Sequence, residues 1–507
     1  MTQACQVDLF VIGGGINGVG IARDSAGRGL SVALCEQGDL AEATSSRSSK
    51  MVHGGLRYLE YYEFRLVREA LREREVLLRN APHIIWPMRF VLPHSPQDRP
   101  AWLVRLGLFL YDHIAGRRSL PGTRVLDLRR DPEGAALQDG YAKAFEYSDC
   151  RVDDARLVAL NALDAKARGA LILPRTRCIS ARREEARWLI ELEDSVTGVR
   201  QRIVAAGLVN AAGPWVGHVA ADIAAAPASR QIRLVKGSHI IVPKFWSGEH
   251  AFLIQNHDRR VIFVIPYQGD LALIGTTDIA YDGAAGDVAI APEEVDYLVE
   301  AVNLYFRKPI RHEDICATYS GVRALFDDGK GNPSAVTRDY VLDLDQGGGS
   351  APLLNIFGGK ITTFRELSER AMHRLKPFFA QMGGDWTADA PLPGGDLGAS
   401  FAGFLDRLAV EYPWLPEGLR HHYARLYGTR LTRILGEAQS LDQLGRHFGG
   451  EFYEVEAEYL LREEWARTAD DILWRRTKHG LHLSEEEGAG FASWLAARNP
   501  ASVADGA

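Results

Sequence analysis

Val7-Asp8-Leu9-Phe10-Val11-Ile12-Gly13-Gly14-Gly15-Ile16-Asn17-Gly18, near the start of a 507-residue chain, is the stretch from which the rest is read. The apolar run Val7 to Ile12 predicts a strand buried on both faces, because nearly every position is hydrophobic. A G-x-G-x-x-G follows, then a helical pattern to Arg28, Gly29 as its stop, and a second strand from Ser31 to Cys35 that delivers Glu36. Each part has a mechanical task. Gly13 permits the tight turn, Gly15 lets a pyrophosphate approach the backbone, and Gly18 lets helix and strand pack closely. The N–H groups at the helix start, around Asn17, face the anion. Glu36 lies where a carboxylate accepts hydrogen bonds from the ribose hydroxyls of an adenosine. Set in strand, helix, strand and acid, the motif predicts dinucleotide binding.

Composition bounds the remainder. The length accommodates two or three domains, and 46% hydrophobic with 25% charged residues is ordinary for a globular protein. A net charge of −7 gives no electrostatic case for nucleic acid. The five Cys (5, 35, 150, 178, 316) are scattered without C-x-x-C or a His/Cys grouping. That predicts no metal site and no disulfide framework, and favours a reducing cytosolic compartment. No signal peptide is expected, since residues 1–12 read as the first strand, and no apolar run approaches the roughly 20 residues that span a bilayer.

The Ser/Thr-rich segment Ala43 to Lys50, with Thr44, Ser45 and Ser49, has hydroxyls suited to phosphate or ring carbonyls, or forms a solvated loop. It leads into Met51-Val52-His53-Gly54-Gly55-Leu56-Arg57-Tyr58. Residues 64–80 have helical periodicity with mixed charge and predict a surface helix. Residues 101–118, with Trp102, Phe109 and flanking basic residues, predict an amphipathic helix that faces a core or lies on a membrane surface; 365–382, with Phe378 and Phe379, carries the same two readings. After Gly169 come short strands forming a meander, whose last member ends at Ala211-Ala212-Gly213. Strands recur through 232–280, and a helix is expected over 291–306, with its acidic start matched to the dipole. A Gly/Asp loop is expected from Asp327 to Asn332. A further buried strand, Leu353 to Phe357, ends in Gly358-Gly359-Lys360, with a helix starting near Thr362. Beyond Pro391-Leu392-Pro393-Gly394-Gly395 the pattern over 401–495 is almost wholly helical, predicting a separate domain over 391–507.

Three features select FAD over NAD: the motif stands at the N-terminus, its return strand arrives only after a meander, and a second glycine-closed strand appears far downstream. An extended FAD needs adenosine, pyrophosphate and flavin each held, and a helix starting after Lys360 aims its N–H groups at the flavin carbonyl. The α/β fold expected is an FAD-binding Rossmann-like domain of the glutathione-reductase type with a β-rich substrate domain. FAD parts fall at about 1–80, 150–230 and 335–390, and substrate parts at about 81–149 and 231–334. No second G-x-G-x-x-G occurs in a strand-to-helix setting, so the acceptor is expected to be a quinone or oxygen.

Beyond these local readings, GGGINGVGIARDSAGRGLSV, ATSSRSSKMVHGGLRYLEYYEFRLVREAL, MRFVLPH, FEYSDCRVDDARLV, KGSHIIVP, VIFVIPY, IGTTD, YSGVRAL, TRDYVLD and FGGKITTFRELSE resemble the FAD-dependent glycerol-3-phosphate dehydrogenases. The resemblance covers nearly the whole chain, including DDILWRRTKHGL, and is nearest to the bacterial aerobic, respiratory form. It implies oxidation of sn-glycerol 3-phosphate to dihydroxyacetone phosphate, FAD reoxidised by membrane ubiquinone, and a peripheral homodimer at the cytoplasmic face of the cytoplasmic membrane. Two positions depart from it: Ala324 stands where the family usually has Pro, which is expected to loosen the Arg323 loop, and Val91 where a relative has a basic residue.

A phosphate calls for guanidinium forks and a point charge. Arg57, Arg323 and Lys360, each read in a glycine-flanked loop, are the candidates, with Tyr58 beside them. His239 in Lys236-Gly237-Ser238-His239 is the expected base, because an unperturbed imidazole titrates near working pH, and His53 is its alternative. FAD contacts are expected from Gly13, Gly15, Asn17, Gly18, Glu36, Thr44, Ser45, Ser49, Gly213, Gly359, Lys360 and Thr362. The alternatives are an amine or amino-acid oxidase of the same fold, a glycerol-3-phosphate oxidase using oxygen, and a non-catalytic FAD-bound scaffold.

Overall fold

The apolar run and its glycine turn become strand Cys5–Ile12 and helix Ile16–Gly27 at the centre of a mixed sheet. The computed structural model describes residues 5–96, 99–116, 119–226, 232–258, 260–326, 339–346 and 351–498. The expected loop at Asp327 to Asn332 and the basic pair Arg117-Arg118 lie outside them. Strand Cys5–Ile12 pairs in parallel with Val32–Cys35 on one side and Arg200–Asn210 on the other. Leu353–Phe357 adds in parallel beyond Arg200–Asn210, and Leu171–Leu173 beyond Val32–Cys35. The four central strands are apolar and largely buried because helices and a small antiparallel layer cover both faces.

Three helices pack on one face: Ile16–Gly27, Asp154–Ala167 and Phe364–Leu375. Asp154–Ala167 is buried at 12 of its 14 positions and lies between the sheet and the C-terminal helices. Asp153 caps it by accepting the Arg156 N–H at 3.1 Å. Helix Phe64–Asn80 is not the surface helix its charges predict. Nine of its residues are buried, and Glu73 reaches Arg365 through bonds of 2.8 and 2.6 Å. Helix Phe364–Leu375 is likewise a core element: seven of its residues are buried and Phe379 is 2% exposed, which removes the membrane-surface reading of 365–382.

The second, larger sheet carries Ile232–Pro243 between Ala317–Phe326 and Leu271–Gly275. It continues through Val261–Tyr267, Ala251–Gln255, Ile85–His94 and Lys143–Val152 to Met51–Val52. Arg323 therefore stands on a strand, opposite Val235, and not in a loop. Ala324 stands in the same ladder, opposite Leu234. Val91 is fully buried among the apolar side chains of this sheet.

Residues 401–498 form a helical bundle with its own core and one small hairpin, His447–Gly449 with Phe452–Tyr453. Buried ion pairs fasten it to the first sheet. Arg476 donates to both oxygens of Asp39 at 2.8 Å, Lys478 to Asp153 at 2.6 Å, and Arg156 to Glu464 at 2.9 Å. Asp39 lies three residues beyond Glu36, so these bonds also fix the turn after the second strand.

Candidate active site

At the glycine turn, space is the deciding quantity. Gly13 has φ +114°, and a Cβ there would stand 2.5 Å from Ala211 O; a Cβ on Gly18 would stand 1.9 Å from Gly13 O. Neither position admits a side chain. Glu36 is anchored from both sides, accepting Gly14 N–H at 2.7 Å and Gly38 N–H at 2.9 Å. Burial raises its pKa against those two bonds. Ser45 Oγ accepts the Ile16 N–H at 2.9 Å, and Thr44 Oγ1 donates to Val322 O at 2.6 Å. Residues 44–50 are thus not a solvated loop: Asp154, fully buried, accepts from Ser48 Oγ at 2.7 Å and Lys50 Nζ at 2.9 Å. Sequence reasoning missed this acid, although its position beside a helix N-cap directly after a strand is a readable signal.

On the other side of the turn, Asn17 Nδ2 donates to Gly358 O at 3.0 Å, joining the first glycine turn to the last. Gly359 has φ +101°, and a Cβ there would stand 2.9 Å from the Asn17 amide. Thr362 Oγ1 accepts the His53 N–H at 3.2 Å. Gly213 opens a short turn at the end of Arg200–Asn210 with φ +54°. Lys360 Nζ lies 3.6 Å from the centroid of the Tyr58 ring. Arg57, on the same short helix as Tyr58, has Nη2 3.5 Å from the Tyr61 hydroxyl.

His239 is buried, with Nε2 2.9 Å from Ser49 Oγ and its ring stacked on Tyr319 at 4.7 Å. Strand alternation puts Val235, Gly237 and His239 on one face, opposite Arg323, Gly321 and Tyr319. The base candidate and the arginine thus share a face, with two glycines between them. Arg323 Nη2 donates to Asp278 Oδ1 at 2.8 Å. Burial, with Lys50 and Arg323 nearby, pushes the His239 pKa down to about 3. The ring is therefore neutral at working pH, and its titration does not fall near 7 as its residue type alone predicts.

On the two glycine turns and the His239 strand, the buried atoms Asn17 Oδ1, His239 Nδ1 and Thr363 Oγ1 have no protein hydrogen-bond partner among the described residues. Such atoms cost free energy unless a ligand or water meets them. The glycine turn, the Glu36 carboxylate and the N-terminus of Ile16–Gly27 match an adenosine diphosphate, and the Gly358-to-Thr363 turn matches a flavin, so these residues fit FAD.

The fold also assembles a grouping that residue spacing conceals. His422 Nε2 and His479 Nε2 lie 2.8 and 3.0 Å from the two oxygens of Glu456, which also accepts from Tyr427 at 2.7 Å. Its ligand-type atoms lie within 4.8 Å of one another. They satisfy one another as hydrogen-bond partners.

Comparison with known proteins follows the two-part architecture. Residues 8–365 match the family model "FAD dependent oxidoreductase", and 386–489 match "C-terminal domain of alpha-glycerophosphate oxidase". The chain is 67% identical to D-erythritol 1-phosphate dehydrogenase of Brucella abortus, over 98% of this chain and 99% of that one. It is 51% identical to aerobic glycerol-3-phosphate dehydrogenase of Escherichia coli, over 96% and 97%. The crystal structure of glycerol-3-phosphate dehydrogenase from Bacillus halodurans complexed with FAD superposes with a TM-score of 0.74 at 25% identity, covering 97% and 94%.

Proposed function

The chain belongs to the FAD-dependent glycerol-3-phosphate dehydrogenase family, and from that premise we propose that it oxidises the secondary alcohol next to the phosphate-bearing carbon of a short linear polyol phosphate. sn-Glycerol 3-phosphate is one such substrate, giving dihydroxyacetone phosphate. D-Erythritol 1-phosphate has the same unit on a four-carbon chain, and the 67% identity to an enzyme named for it favours the longer substrate. The observation that carries the reading is the shared sheet face of His239 and Arg323, with the Lys360 ammonium on the neighbouring turn. Amine substrates lack the phosphate that such a group of cations suits.

Bound FAD supplies the hydride acceptor. With Nε2–H donating to Ser49, His239 offers the Nδ1 lone pair to the hydroxyl proton. A conjugate-acid pKa of about 3 makes a weak base, and the arriving phosphate dianion raises it, because negative charge favours the imidazolium. Arg323, Lys360 and Arg57 bind the phosphate. Electrons pass on to a membrane quinone, from a homodimer held peripherally at the cytoplasmic face of the membrane. Support for the membrane surface comes from helix Ala101–His113, whose Trp102, Leu106 and Phe109 are exposed.

Anaerobic titration tests the chemistry. The flavin should bleach with either polyol phosphate, and kcat/KM ranks the two. A bound flavin that neither bleaches overturns the proposal, as does turnover on glycine or sarcosine instead. Reoxidation of the bleached enzyme by a quinone analogue and by air then identifies the acceptor.

A further inference from the structure

Arg323 is held in place from a direction that phosphate binding does not explain. Its Nη2 donates to Asp278 Oδ1 at 2.8 Å and approaches Thr277 O at 3.5 Å. Asp278 is itself largely buried, its side chain 10% exposed. It follows strand Leu271–Gly275 through Thr276 and Thr277, and Thr277 is pinned on two sides. Thr277 Oγ1 accepts the Ser238 N–H at 2.9 Å and donates to Glu294 Oε1 at 2.7 Å.

Glu294 is the centre of this arrangement. It is 2% exposed and accepts from Ser238 Oγ at 2.9 Å, from the Ala291 N–H at 2.9 Å and from Lys236 Nζ at 2.6 Å. Burial alone would push its pKa up, and Lys236 with the other donors outweighs burial and holds it below the ordinary carboxylate value. Ser238 is the residue before His239 and turns to the opposite sheet face. One buried carboxylate therefore ties the strand that carries His239 to the turn that carries Asp278.

We infer that Asp278 is a positioning residue for Arg323, and that Glu294, through Thr277, fixes Asp278 relative to His239. A guanidinium on a long side chain loses substantial rotamer freedom when it grips a ligand. A bond to Asp278 removes that freedom beforehand and sets the plane of the fork without using all its donors. Asp278 also has an opposing effect, since its charge competes with the substrate's phosphate for the same cation. The sign of the substitution effect tells which of the two dominates.

The inference rests on the reading that Arg323 binds substrate, and a double-mutant cycle on the FAD-loaded enzyme separates the two. Arg323→Ala should raise KM for the polyol phosphate about 10–100-fold. Asp278→Asn, which keeps shape and loses charge, should raise KM about 10-fold, with kcat changed less than about 2-fold. In the Arg323→Ala background, Asp278→Asn should add less than about 2-fold, because the group it positions is gone. An unchanged KM in Arg323→Ala overturns the substrate reading and this inference with it. If Arg323→Ala raises KM while Asp278→Asn leaves it unchanged or lowers it, only the positioning role falls; two full effects that multiply overturn it equally. Should Asp278→Asn fail to retain FAD, Glu294→Gln takes its place in the cycle. It is expected to raise KM in the parent and not in Arg323→Ala, and equal effects in both overturn the relay.

Discussion

Helix Ala101–His113 turns Trp102, Leu106 and Phe109 outward, 68, 47 and 56% exposed, whereas helix Phe364–Leu375 buries Phe364, Leu367, Ala371, Met372 and Leu375. In sequence the two look alike: amphipathic, with basic residues and large aromatics. Their connections separate them. Phe364–Leu375 follows the Gly358-Gly359 turn of the central sheet, so the chain lays its apolar stripe against Ile16–Gly27, and Arg365 meets the Glu73 carboxylate. Ala101–His113 is an excursion between Ile85–His94 and Lys143–Val152, anchored mainly by buried Leu108 and Tyr111. Periodicity tells that a helix has an apolar face, and topology decides what covers it.

Substitutions at the buried helix should have the largest effects. Arg365→Met leaves Glu73, 3% exposed, with its charge unpaired, and should cost about 3–5 kcal/mol in urea unfolding. A loss below about 1 kcal/mol would mean that water reaches the pair. Leu375→Ala, at a fully buried position, should cost about 2–4 kcal/mol by the same measurement.

Acid comes next and also acts on the buried side. His83, three residues beyond helix Phe64–Asn80, is fully buried, and burial with Arg156 and Arg425 nearby pushes its pKa down to about 3. The unfolded chain takes up this proton near pH 6.5 and the folded chain does not. The contribution is therefore intact above about pH 6.5 and is lost as pH falls toward 3, amounting to about 2 kcal/mol at pH 5. His83→Asn should shrink the difference between pH 7.5 and pH 5 by that amount, read from unfolding midpoints.

The exposed helix should show the smallest stability change and a separate loss. Trp102→Ser with Phe109→Ser should alter unfolding free energy by no more than about 0.5 kcal/mol. The same variant should no longer sediment with anionic liposomes. A destabilised variant would place the two aromatics in a core contact and collapse the contrast, and unchanged sedimentation would remove this helix as the membrane surface.

Much of the cofactor side was legible because it is local. Gly13, Gly18 and Glu36 follow from a turn, a close approach and a strand end within 30 residues, and the positive φ of Gly13 and the tight contact at Gly18 agree with the mechanical reading of those two. The strand Leu353–Phe357 and the helix Pro292–Asn303 were equally readable from their periodicity and flanking residues. The substrate side was less legible. Asp154 beneath Ser48 and Lys50, Asp278 against Arg323, and Glu294 behind Ser238 join residues 45 to 106 positions apart. No spacing in one sequence announces such pairs. The His239 pKa was misread for a related reason: residue type gives the unperturbed value, and burial beside two cations sets the real one.

The sequence by itself determined the strand, glycine turn, helix and acid that hold a dinucleotide, because backbone sterics and hydrophobic periodicity act over a few residues. It also determined which cations were available for a phosphate. Only the tertiary structure decided which of them shares a sheet face with His239, which apolar helix is covered, and which acids are buried beneath the site. Those outcomes depend on the desolvation and distance of groups that the chain carries far apart.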